Sequence, residues 1–225
     1  MKAYQIRIEL KNHQPLIWRR VVVPADITFK RLHDTIQLAM GWGNEHLYEF
    51  SFPESKLLIT SDDDAVEEWK SYFVKYKKQR PTKEEDPFGF IARMIARNVK
   101  SVKRAKIDKP LENIGECEYI YDFGDYWCHK LYLEQVIEDY EVGYPQLLDG
   151  AENCPPDDVG GVSGYREFLK IWDKPEHPEY QVLQDWVAQT NYQNFNLDYI
   201  NSLMKRFLKL KKIKDRYLQG KVFNA

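Results

Sequence analysis

The sequence predicts an α+β fold: an antiparallel sheet built from two hairpins, a helical C-terminal layer and a helical insertion. Three observations carry that expectation. Alternating apolar residues dominate residues 4–23 and 117–137, the period of half-buried strands. Apolar residues at helical spacing dominate everything beyond residue 160. Strands first and helices later is the order of an α+β domain rather than of repeated β-α-β units.

Taken in order, Tyr4, Ile6, Ile8 and Leu10 share one strand face, and 11–15 is a polar turn. The stretch from Leu16 to Val23 returns as the second strand of a hairpin, stopped by Pro24. Thr28 stands at a helix N-cap, followed by Phe29, Leu32, Ile36 and Met40 at helical spacing and by Gly41 as a C-terminal stop. His46 to Phe52 reads as a third strand. Residues 61–105 form the charged insertion. Its acidic start (Asp62, Asp63, Asp64) and basic end (Lys75, Lys77, Lys78) suit a helix over about 64–79. A short helix is expected over 88–99. The strongest hairpin is 117–137, turning at Gly124-Asp125, with Trp127, His129 and Leu131 on one face. Residues 134–158 hold eight acidic residues and no Lys or Arg, with Pro155-Pro156 and Gly160-Gly161, and read as ordered loop. Three helices follow; the last, at about 197–218, is capped by Asn196 and is basic on one side. The whole chain, 1–225, is read as one domain.

Composition narrows function by exclusion. Lys and Arg total 33 against 35 Asp and Glu, a net charge of −2, so no global basic excess recruits nucleic acid. No apolar run approaches the roughly 20 residues of a membrane span. The alternating N-terminus is not a signal peptide, and three widely spaced cysteines fit a reducing cytoplasm.

Four ordered stretches carry a resemblance: P15-L-I-W-R-R-V-V-V-P24, G41-W-G-N-E-H-L-Y-E-F50, Y121-D-F-G-D-Y-W-C-H129 and C154-P-P-D-D-V-G-G-V-S-G-Y165. Together they resemble the plasmid pRiA4b open-reading-frame-three-like family from about residue 3 to about 205. The resemblance implies a compact α+β domain and brings no established activity. It also implies an insertion at 61–105 longer than is usual in the family. The family's acidic loop often carries three cysteines; here Leu147 and Val159 stand at two of those positions and only Cys154 is kept. A three-thiol zinc or redox site is therefore not expected. Some relatives carry a transposon-resolvase label. Residues 1–23 contain no Ser, so serine-recombinase chemistry does not fit.

The candidate chemistry is an Asp/His cluster. Asp122, Asp125 and His129 flank one tight turn, where a carboxylate can orient an imidazole or share a metal with it. If a metal is held, the expected ligands are His46, Asp122, Asp125 and His129, with Glu49 on the strand of His46 as a neighbour. No bound metal and no cofactor are expected. Against this stand simpler roles: Asp in a turn bonds its own backbone, and a His on an apolar strand face belongs to the core. Asp157 or Asp158 is expected to cap the helix after Gly160-Gly161. Trp18 and Arg20 are candidate binding residues, with a core Trp18 flanked by surface Arg as the plainer expectation. No G-K-[ST] loop, G-x-S-x-G elbow or H-E-x-x-H motif is present, and Asp122-Phe123-Gly124 lacks the rest of a kinase. The reading is a cytoplasmic binding or interaction module, with enzymatic activity left open. A metal-dependent hydrolase or nucleic-acid-processing accessory using the Asp/His cluster, and a mobile-element DNA-binding accessory, are the alternatives. Partners and oligomeric state stay open.

Overall fold

The computed structural model describes residues 1–190 and 192–209. Its centre is one eight-stranded sheet. In chain order the strands are β1 (Ala3–Leu10), β2 (Trp18–Pro24), β3 (Tyr48–Phe52), β4 (Leu57–Thr60), β5 (Asn98–Ser101), β6 (Glu116–Tyr121), β7 (Trp127–Ile137) and β8 (Gln146–Ala151). Their spatial order is β5-β4-β3-β6-β7-β1-β2-β8, and every neighbouring pair is antiparallel except β4 with β5. The fold is α+β. The helices are α1 (Phe29–Met40), α2 (Asp63–Tyr76), α3 (Phe90–Ile95), α4 (Asp108–Ile114), α5 (Gly161–Trp172), α6 (Tyr180–Val187) and α7 (Leu197–Phe207). Among the described residues no helix is long and apolar enough to cross a membrane.

Alternation decides the two faces. Tyr4, Ile6, Ile8 and Leu10 are buried with Phe50, Tyr119, Trp127 and Leu131 in one core with α1, α5 and α7. The opposite face keeps Arg7 paired with Glu9, Arg20 with Glu134 and Lys11 with Glu118. Helix α1 is bounded by local chemistry. Thr28 Oγ1 accepts the Arg31 amide at 3.3 Å, and Gly41 closes the helix at φ +87.

Four sequence expectations need correction. The insertion is not purely helical: α2 and α3 are followed by β5, which pairs in parallel with β4 and extends the sheet. The predicted helix over 88–99 shortens to α3 because Asn98 to Ser101 find that open edge. Within the acidic stretch expected to be loop, Gln146–Ala151 is a strand, because β2 offers an unpaired edge. The Asn201 side chain of α7 then bonds both the N–H and the C=O of Leu147, at 2.8 Å each. The basic half of the helix expected over 197–218 lies outside the described residues beyond Lys209; within α7, Ile200 and Met204 are buried and Phe207 is 57% exposed.

The fourth correction concerns β2. The expectation puts Trp18 inside and the arginines outside; the register turns Arg19 inward and Trp18 outward. Arg19 lies opposite Ile8 and is 1% exposed, while Trp18 is half-buried on the outer face with the Arg7 guanidinium 4.0 Å from its ring centroid. All five Arg19 N–H groups are used. Nε donates to Ala39 O, Nη1 to Trp18 O and Ala151 O, and Nη2 to Glu152 O and the Cys154 sulfur, at 2.7–2.9 Å. A guanidinium can be buried this way because its planar fork reaches several carbonyls at once. Trp18 and Arg20 are thereby occupied with each other and with Glu134.

Candidate functional site

Three loops meet at one end of the sheet: residues 41–47 between α1 and β3, the 122–126 turn between β6 and β7, and residues 152–160 between β8 and α5. Three of the four sequence stretches singled out above supply them.

The first loop is held from beneath by a buried polar relay. His33 and Tyr119 are both 0% exposed. Asn44 can only accept through Oδ1, so His33 Nε2–H donates to it and Nδ1 accepts the Tyr119 hydroxyl at 2.8 Å. Gln37 Nε2 donates to the same hydroxyl at 3.1 Å, and its Oε1 accepts the Asn44 amide at 3.0 Å. The His33 ring stacks on Tyr48 at 3.4 Å, and burial pushes its pKa down to about 4, keeping it neutral.

The loops are also tied to one another. Trp42 Nε1 donates to Pro155 O at 2.9 Å, and its ring stacks on Tyr121 at 5.0 Å. Asp157 accepts the Gly43 amide at 2.9 Å and the Tyr121 hydroxyl at 3.4 Å. Burial, more than any neighbour, raises the pKa of both Asp157 and Tyr121. Asp125 accepts the Gly160 amide at 3.1 Å. That overturns the expected cap. Helix α5 has no side-chain cap from its own N-cap residue, and Asp157 is turned to Gly43. Asp125 reaches the start of α5 across the gap because Gly161 lies against its backbone: a Cβ there would sit 2.6 Å from Asp125 O.

Of the expected cluster, the structure joins two members. His46 Nε2 lies 3.8 Å from Asp122 Oδ2 and 3.4 Å from Asp158 Oδ1. The ligand atoms of His46, Asp122 and Asp158 all fall within 4.8 Å of one another. Asp125 is spent on Gly160. His129 is absent from the cluster because it is fully buried, with Nδ1 on Trp127 O at 3.0 Å and its ring edge-on to Trp42. Burial lowers its pKa to about 4. Glu49 is half-buried on β3, whereas His46 precedes that strand in the first loop, and burial raises the Glu49 pKa. The residue missed from sequence is Asp158; its place in the Pro-Pro-Asp-Asp run was the available signal, masked by the capping expectation.

What the rim exposes is polar and aromatic. Asn44 and Glu45 are exposed, Phe123 is 45% and Tyr126 57% exposed, and the Asp158 side chain is 70% exposed. Among the described residues the rim exposes no thiol. Cys117 and Cys154 are buried and burial raises both thiol pKa values, leaving them protonated.

The comparisons agree on kinship. The family model for plasmid pRiA4b ORF-3-like protein matches residues 2–202. The uncharacterized protein y4hQ of Sinorhizobium fredii is 30% identical over 192 residues, covering 84% of this chain and 83% of that protein. A crystal structure of a protein of unknown function, MM3350 from Methanosarcina mazei Go1, is similar with a TM-score of 0.61 at 31% identity, covering 83% of this chain and 88% of that one.

Proposed function

This chain belongs to the plasmid pRiA4b ORF-3-like family, and from that premise, which brings no activity with it, we propose that it is a binding module whose ligand face is the three-loop end of the sheet. One observation carries the reading: three loops from separate parts of the chain are cross-braced by hydrogen bonds, that of Trp42 to Pro155 O buried and those of Asp157 to Gly43 and Asp125 to Gly160 nearer the surface, yet present Glu45, Phe123, Tyr126 and Asp158 to solvent. Rigid support under exposed polar and aromatic groups is how a binding surface is pre-organised. Transformation of the ligand is not part of the proposal; Cys117, Cys154 and the neutral His33 and His129 are buried out of its reach. The proposal includes one domain, supported by the continuous sheet, and a cytoplasmic setting, supported by three unpaired thiols.

The test is a residue-resolved NMR titration of the full chain with a panel of cationic, anionic and neutral fragments. Amide shifts concentrated at 42–46, 122–126 and 157–160 are expected. Shifts that gather elsewhere for every fragment class refute the reading.

A second reading has its own observation. A cleft of about 860 Å³ between α2, β5 and α4 is lined by Lys70, Lys100, Lys103, Arg104, Lys106 and Lys109. Two of these cations already face Asp63 and Glu67. The remainder suit a polyanion, and salt-sensitive binding of duplex DNA that maps to this cleft would favour the DNA-associated accessory role over the loop face.

A further inference from the structure

We infer that His46, Asp122 and Asp158 form a site for a divalent transition-metal cation; the inference rests on the three-loop end being the ligand face and names what is bound there. The three side chains come from the three separate loops, and their ligand atoms lie within 4.8 Å of one another. His46 Nε2 is shielded from solvent and has no hydrogen-bond partner. An imidazole nitrogen left so gives up a hydrogen bond that it would make in water. It faces two carboxylate oxygens, at 3.4 and 3.8 Å, with neither in a hydrogen bond to it.

The carboxylates are prepared unequally. Asp122 is 8% exposed, and its Oδ1 is fixed by the Gly124 amide at 2.8 Å, which turns Oδ2 toward His46. That is the outer-shell orientation typical of a metal-ligating carboxylate. Asp157 anchors the third loop through Gly43 and Tyr121, leaving the exposed Asp158 carboxylate free to close on the cation. Metal–ligand bonds of about 2.0–2.2 Å in a tetrahedral site place ligands about 3.3–3.6 Å apart, so a small inward movement of Asp158 completes the geometry.

The donor set selects the class of ion. One imidazole with two carboxylates suits Zn²⁺, Co²⁺ or Mn²⁺ better than Ca²⁺ or Mg²⁺, which favour oxygen alone. Two carboxylates neutralise the ion. Three protein ligands leave at least one position open on the solvent side, where an oxygen or nitrogen of the ligand would bind. This ligand set replaces the one expected from sequence, which contained Asp125 and His129 and omitted Asp158.

The full chain, stripped with EDTA, is titrated with Zn²⁺ by calorimetry and with Co²⁺ by visible absorption. One ion per chain is expected, with Co²⁺ bands of a nitrogen–oxygen site and no thiolate charge-transfer band. His46→Ala and Asp158→Asn should each weaken binding at least about tenfold. Both side chains are partly or largely exposed, so the metal-free melting temperature should stay unchanged. No saturable Zn²⁺ binding, binding indifferent to both variants, or a thiolate band overturns the inference. The fragment titration above, repeated in EDTA, separates the two proposals. Fragments that still map to the loops without Zn²⁺ binding sink the metal site alone; fragments mapping elsewhere without Zn²⁺ binding sink both.

Discussion

Mild acid should unfold this protein through two imidazoles. His33 and His129 are each 0% exposed, and burial holds both near a pKa of about 4 against 6.5 for a free side chain. The folded protein keeps them neutral while the unfolded chain takes up two protons below about pH 6.5. Their contribution is therefore complete above that pH and is lost as pH falls toward 4. At about 1.4 kcal/mol for each tenfold difference in proton affinity, each ring accounts for about 3 kcal/mol across that window, and together they approach the roughly 5–15 kcal/mol of a typical domain. Urea unfolding followed by tryptophan fluorescence at several pH values between 7.5 and 4.5 reads this directly. Two protons set a ceiling of about 2.7 kcal/mol per pH unit in the middle of the window, and Glu49 and Asp157, whose pKa values burial raises, pull the slope below it. Glu112 and Glu134, whose ion pairs lower their pKa values, lose their contribution only below the ordinary carboxylate range and so do not confuse the result. A His33→Gln variant that folds should lose about half of the slope. A flat stability profile from pH 7 to 5, or His33 and His129 resonances titrating near 6.5, would show that the rings are hydrated and the reasoning wrong.

Two further outcomes follow from the packing. Arg19→Leu strands the carbonyls of Ala39, Ala151 and Glu152 in the interior and should cost about 3–5 kcal/mol by urea denaturation, and Arg19→Lys should recover little of it because an ammonium lacks the fork; a loss below about 1 kcal/mol would mean those carbonyls find water. Gly161→Ala should destabilise by at least about 3 kcal/mol, since its φ is +67 and its Cβ would press on Asp125 O, whereas Gly115→Ala, at φ +80 with nothing within 4 Å, should cost only about 1–2 kcal/mol; equal melting-temperature shifts for the two would remove the close approach as the cause.

Much of this architecture is local and was legible residue by residue. Thr28, Gly41 and Asn196 mark helix ends because capping depends on a few adjacent atoms. The β1/β2 and β6/β7 hairpins were legible because strand alternation and turn residues act over short separations. The four ordered stretches were enough to point to the family. Tertiary structure decided what local rules leave open. Whether Trp18 or Arg19 faces inward depends on pairing with Ile8 and on carbonyls more than 100 residues away, at Ala151 and Glu152. The strands at 98–101 and 146–151 exist because β4 and β2 present unpaired edges, which their own composition does not reveal. The same holds for the Asp/His cluster. Spacing grouped Asp122 with Asp125 and His129, but the turn sends Asp125 to Gly160 and alternation sends His129 into the core. Asp158 reaches His46 only because Asp157 pins its loop to Gly43, a contact between segments 114 residues apart that no local pattern encodes.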